Sequence, residues 1–282
     1  MCKRGTMDNV KKKISIVLNF TIGIFATLGI TLALCFATKQ GYSPWYTRLL
    51  YFTQQSNIWI GITAFIFAIL GLLELVYKKS FINGALHIVK YIFTVSITVT
   101  GIVFCTLLAP FADYDVWYFS SIATHVVVPV LAITDYFIND DFKGLKHKHV
   151  YLALIPPAFY FTLSSILTLN QVDFGRGETY PYFFLDFNSN AGFFGFYRVG
   201  NLPEVGTAYW LIFMFLMFWA LAFLYYRLQP NVHKMHKIER TKRKDCQNQK
   251  SAEVHLELES LACDEKPCHQ GSTQGGEQSL EE

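Results

Sequence analysis

Apolar positions in this chain fall in long unbroken blocks separated by short polar links, not at the three-and-four spacing of an amphipathic helix. The blocks cover residues 14–37, 46–77, 86–110, 116–138, 150–170 and 207–228. A helix needs about 18 or more such residues to cross ~30 Å of hydrocarbon. The pattern therefore predicts an all-α fold, a bundle of six transmembrane helices. Trp45, Tyr46, Trp117, Tyr118, Tyr209 and Trp210 stand near block ends, where amphipathic rings favour the headgroup layer. The second block is long enough that its start, Trp45–Leu50, is expected at the interface.

Basic residues orient the bundle. The N-terminal segment, the 78–90 link with Lys78, Lys79 and Lys90, the 139–149 link with Lys143, Lys146 and Lys148, and the segment after Arg227 are rich in Lys and Arg. The opposite set is poorer: Lys39 and Arg48, then nothing basic between Pro110 and Val116, then Arg176 and Arg198. Positive residues stay inside, so both termini are expected in the cytoplasm. The first block exceeds the ~7–15 residues of a signal-peptide core and reads as a retained helix.

Two domains follow: a six-helix unit over 1–228 and a disordered cytoplasmic tail over 229–282, basic at first and then acidic and Gly/Ser/Gln-rich. The 170–206 link is too long and too aromatic for a plain connector. Its runs Tyr180-Pro-Tyr-Phe-Phe-Leu-Asp186 and Gly192-Phe-Phe-Gly-Phe-Tyr197 predict a cap over the outer mouth of the bundle. Pro156-Pro157 removes two backbone donors inside the fifth block and predicts a kink there.

Composition agrees with this class. Of 282 residues 52% are hydrophobic and only 16% charged, against about 25% charged in soluble domains, and mean hydropathy is +0.28. Cys35 and Cys105 fall in the blocks, and Cys2, Cys246, Cys263 and Cys268 on the cytoplasmic side, so no extracytoplasmic disulfide framework is expected. No phosphate-binding glycine loop, Gly-x-Ser-x-Gly elbow or His-Glu-x-x-His is present. His147 and His149 beside Asp140 and Asp141 read as a solvated basic loop, Glu74 as a residue reaching to the inner interface, and the basic tail lacks a nucleic-acid fold. No cofactor, metal or nucleic-acid partner is expected, and the location is a cell membrane or an endomembrane.

Two polar stretches interrupt the apolar pattern, Tyr51-Phe-Thr-Gln-Gln-Ser-Asn57 and Thr124-His-Val-Val-Val-Pro129. If both helices enter from outside near Trp45 and Trp117, Thr53 and His125 lie at one depth, roughly 10–12 Å in at 1.5 Å per residue. A neutral imidazole can take the proton of a threonine hydroxyl and so make it a nucleophile. Thr53, Ser56 and Asn57 share a helix face, and residues 54–57 are candidate oxyanion donors. Asp135 is about 15 Å along the helix from His125, too far to orient the ring, and reads as a residue paired near the cytoplasmic boundary. Asp186, from the capping link, is the better candidate for that role. The bland readings are a threonine bonded to its own i−4 carbonyl and a histidine that bridges helices.

Phe-Thr-x-x-Ser-Asn around Thr53, Thr-His-x-x-x-Pro around His125 with Asp135 beyond, and the Tyr180–Asp186 run occur in an order that resembles the androgen-induced and androgen-dependent family of multipass membrane threonine hydrolases and related bacterial membrane proteins. The resemblance covers about residues 14–228. It implies an intramembrane hydrolase of fatty acid esters of hydroxy fatty acids, with Thr53 as nucleophile and His125 as base. The match departs from the family at Ser56, where animal members carry an acidic residue, and at Asp186, reached through one extra aromatic. A transporter or receptor whose Thr53, Ser56, Asn57 and His125 line a cavity without catalysis is the alternative.

Overall fold

The computed structural model describes residues 2–112, 115–138, 145–199 and 202–229. Among the described residues six helices are long and apolar enough to cross a membrane: α1 (Cys2–Cys35), α2 (Phe52–Tyr77), α3 (Gly84–Phe111), α4 (Phe119–Ile138), α5 (His147–Leu169) and α6 (Thr207–Leu228). The protein is an all-α, multi-pass membrane protein, and the observed helices overlie the six apolar blocks. Large apolar side chains such as Val17, Ile62, Phe159 and Leu216 are exposed on the outside of the bundle, the reverse of a water-soluble bundle and suited to lipid. The chain divides after His233; of the tail expected over 229–282, Gln229 is instead buried at the end of α6, and residues from 230 on lie outside the described residues, as do Asp140, Asp141 and Lys143.

Inside the bundle, polar residues meet one another. Lys90 of α3 pairs with Asp135 of α4, donates to Asn19 Oδ1 of α1 at 3.0 Å and lies 4.3 Å from the Phe67 ring centroid. Ser15 of α1 donates to Asp135 at 2.5 Å. Lys90 is thus not a link residue but a buried one, which removes one charge from the basic link. Asp135 pairs as expected. Glu74 does more than reach outward: it pairs with Lys12 at 2.6 Å and accepts the Phe81 and Ile82 N–H groups at 2.6 and 2.7 Å, clasping the α2–α3 link.

Pro156 and Pro157 do not kink a continuous helix. They stand in the first turn of the α-helical part of α5 (Ile155–Leu169), just after a 3-10 segment, His147–Leu154. The first turn has N–H groups without intrahelical partners, so proline is tolerated there.

The 170–206 link folds over the mouth of the bundle as a cap, with a short turn at Phe183–Leu185 and an antiparallel hairpin, β1 (Phe196–Val199) and β2 (Leu202–Val205), in which Phe196 faces Val205 in register. At this same end α3 and α4 each contain one π-helical segment, Phe104–Leu108 and Ala123–Val127. Gly101 lets them meet there: a Cβ on it would lie 3.0 Å from the His125 carbonyl oxygen and 3.1 Å from Pro129 Cβ.

Candidate active site

Trp45–Leu50 forms a 3-10 turn, and α2 begins only at Phe52. Thr53 therefore stands in the first turn of its helix, not two turns in. That position matters for its hydroxyl. Thr21, Thr27, Thr63, Thr98, Thr100, Thr106, Thr124 and Thr134 all donate to the carbonyl four residues back. Thr53 does not. Its Oγ1 lies 3.3 Å from the Tyr182 hydroxyl, and its backbone N–H, free because it opens the helix, points to the same hydroxyl at 3.4 Å. The bland reading of this threonine fails on geometry.

His125 fails its bland reading too. The ring makes no hydrogen bond to another helix among the described residues. Its Nδ1 lies 2.8 Å from the Ser121 carbonyl oxygen one turn earlier. A carbonyl only accepts, so Nδ1 carries the hydrogen and Nε2 keeps its lone pair. The ring stacks on Phe104 of α3, 3.9 Å between centroids and 23° between planes. Both rings come from the π-helical segments, and π-bulges recur where a helix must re-aim a side chain at a functional site.

Thr53 and His125 line one cavity of about 300 Å³. Gln54, Phe104, Ser121 and Tyr118 share its wall, and Arg48 and Tyr51 come from the turn before α2. The cap closes it with Gly175, Arg176, Glu178, Tyr180, Pro181, Tyr182 and Phe183. Thr53 and His125 make no hydrogen bond to each other. The Tyr182 ring stacks on Phe184 at 5.0 Å and meets Tyr51 edge-on at 5.6 Å. Burial in this aromatic packing pushes its hydroxyl up to about 12, so it stays protonated and can donate. Tyr180, pushed up to about 12 by burial and then by its hydrogen bond to Glu178, is likewise a neutral phenol.

Ser56 and Asn57 stand behind the site, not in it. Ser56 Oγ donates to the Thr53 carbonyl at 3.1 Å and lies 2.8 Å from Thr100 Oγ1. Asn57 Nδ2 donates to the Thr53 and Thr124 carbonyls at 2.8 and 3.1 Å. That amide ties the α2 start to the residue before His125 and so sets the spacing of the pair. Asp186 is away from the cavity: its carboxylate accepts the Asn188 N–H at 2.8 Å and its carbonyl accepts from Thr207 at 3.2 Å. The Ser121 carbonyl has the orienting role that Asp186 was expected to fill. Arg48 and Tyr182 were not among the sequence candidates. Tyr182 belongs to the aromatic run that predicts the cap, whereas Arg48 reads in sequence as an ordinary link charge.

Among the described residues no cluster of three or more His, Cys, Asp or Glu side chains is arranged to hold a metal. Comparison of the chain with protein-family models, curated proteins and solved structures finds no match.

Proposed function

We propose that the protein is a membrane lipid ester hydrolase with Thr53 as nucleophile and His125 as general base. The observation that carries this reading is the shared cavity, into which two helices bring a threonine hydroxyl released from its helix and an imidazole with its Nε2 lone pair unused. Thr53 Oγ attacks the ester carbonyl carbon while Nε2 takes the hydroxyl proton. The Tyr182 hydroxyl donates to the oxygen that becomes negative, with the Thr53 N–H as a second donor. The tetrahedral intermediate collapses, the carbon–oxygen bond to the alcohol breaks, and His125 returns the proton to the leaving alkoxide. Water then attacks the acyl-threonine, again losing its proton to Nε2; the bond from the acyl carbon to Thr53 Oγ breaks, Nε2 returns the proton to that oxygen, and the fatty acid leaves. Because Thr53 and His125 are not bonded to each other, their proton passes through a bridging water or after the substrate draws the walls together, as is common in unliganded enzymes.

The substrate class this suggests is a long-chain ester entering from the outer leaflet, fatty acid esters of hydroxy fatty acids among them. The same lack of a direct Thr53–His125 bond favours a second reading, a receptor or transporter cavity without catalysis. Fluorophosphonate labelling of membranes separates the two. Wild type should be labelled at Thr53, with labelling lost in Thr53→Ala and His125→Ala. Folded wild type that takes no label would leave the binding cavity as the better reading.

The phenol gives a second measurement. Tyr182→Phe keeps the ring stack and removes one oxyanion donor, so kcat for ester hydrolysis should fall about a hundredfold with KM little changed. A variant that changes KM alone would make Tyr182 a wall residue.

A further inference from the structure

Among the described residues, Arg48 is a charge without a counter-charge. It is 8% exposed and lies on the turn that leads into α2. Its guanidinium donates to Gln40 Oε1 and, at 3.0 Å, to the Tyr118 hydroxyl, and it lies 4.5 Å from the Tyr42 ring centroid. None of these groups is anionic. Lys90, also buried among the described residues, is treated differently, since it has Asp135, and even the part-exposed Lys12 has Glu74. A buried cation left without its partner is costly. Glu178 lies on the same cavity wall, but it takes the Tyr180 hydrogen bond and makes no ion pair with Arg48.

The neighbourhood adds positive charge. Arg176 of the cap lies 4.9 Å from the same Tyr42 ring and holds the Gln40 carbonyl at 3.0 Å. Gln40 thus fixes both guanidinium groups, while Tyr118 accepts from Arg48 and points its own hydroxyl at the Gln40 side chain at 3.4 Å. A guanidinium held by neutral partners on two of its five N–H donors keeps a fork for a planar or tetrahedral anion. Arg48, Arg176, Thr53 and His125 all line the one cavity.

We propose that Arg48 is the anion-recognition residue of this cavity, receiving the carboxylate or phosphate of an amphiphile whose chain lies across Thr53. Where that amphiphile carries an ester, Arg48 sets which end enters; this last clause rests on the hydrolase reading, and the binding does not. The source of the anion is a fatty-acid carboxylate or a lipid phosphate, and the two present the same chemistry to the fork.

The test is binding of three ligands that hold no ester: palmitate, hexadecyl phosphate and hexadecanol. Each competes with a fluorescent fatty acid on the purified full chain in neutral detergent. Wild type should prefer an anionic ligand over hexadecanol by about ten- to a hundredfold, the worth of a hydrogen-bonded charge. Arg48→Gln should erase that preference while leaving hexadecanol binding in place. Arg48→Lys keeps the charge without the fork and should retain a reduced preference, so the proposal stays testable if the glutamine variant does not fold. Tighter palmitate marks a fatty-acid head group and tighter hexadecyl phosphate a phospholipid-type one; either supports the assignment. Equal binding of hexadecanol and both anions by wild type overturns it, as does an unchanged preference in folded Arg48→Gln. An inert protein that still prefers anions would sink the hydrolase reading and leave this one standing.

Discussion

Replacing Thr53 by alanine should lower the release of fatty acid from a long-chain ester by at least about a thousandfold, and His125→Ala should do nearly as much. The double variant should be little worse than either single, because nucleophile and base act as one unit. Thr53→Ser should keep a substantial part of the activity, since it retains the hydroxyl and loses only a methyl group. The fold gives the experiment its force. Ser56 and Asn57 bond the Thr53 carbonyl and not its hydroxyl, so alanine leaves the start of α2 tied to Thr124. The one side-chain bond lost, to Tyr182, costs about 1 kcal/mol. Thr53→Ala should therefore melt within a few degrees of wild type. A folded alanine variant that retains a tenth of the wild-type rate would remove Thr53 from the chemistry.

Six apolar blocks were legible because crossing a bilayer demands length and hydrophobicity, and composition alone records both. The cap was legible for a related reason: an aromatic run such as Tyr180–Asp186 has no use in a solvated link. Thr53 and His125 could be paired from their spacing to the nearest interfacial aromatics. The two line one cavity, but Thr53 opens its helix instead of lying two turns in, since a 3-10 turn at Trp45–Leu50 looks apolar enough to be helix. What sequence could not supply were partnerships across helices. Arg48 and Lys90 look like link charges, yet one faces the cavity and the other is buried against Asp135. The π-helical segments leave no pattern in residue type, and they put Phe104 on His125. The orienting group for His125 is a backbone carbonyl, which no search for a carboxylate would find.

The largest stability effect should come from the other end of α3 and α4. Asp135→Asn leaves the Lys90 charge buried beside neutral groups, the new amide, Asn19 and the Phe67 ring, and Lys90→Met leaves the Asp135 carboxylate with Ser15. Either should cost about 3–5 kcal/mol, the range for breaking a buried pair by removing one member. Replacing both, Lys90→Met with Asp135→Leu, removes the unpaired charge and should recover most of the loss, because an apolar pair avoids the desolvation that the ions suffer. Thermal unfolding of the four proteins in detergent measures this directly. The pair sits near the first turns of α3 and the last turns of α4, whereas Phe104 and His125 stack at the opposite ends of the same two helices. A stable double variant with wild-type ligand binding would show that packing alone holds the helices in register. A double variant as unstable as either single would show instead that Ser15 and Asn19, by bonding the pair from α1, fix the three helices together, and the cavity geometry should then loosen in all three variants.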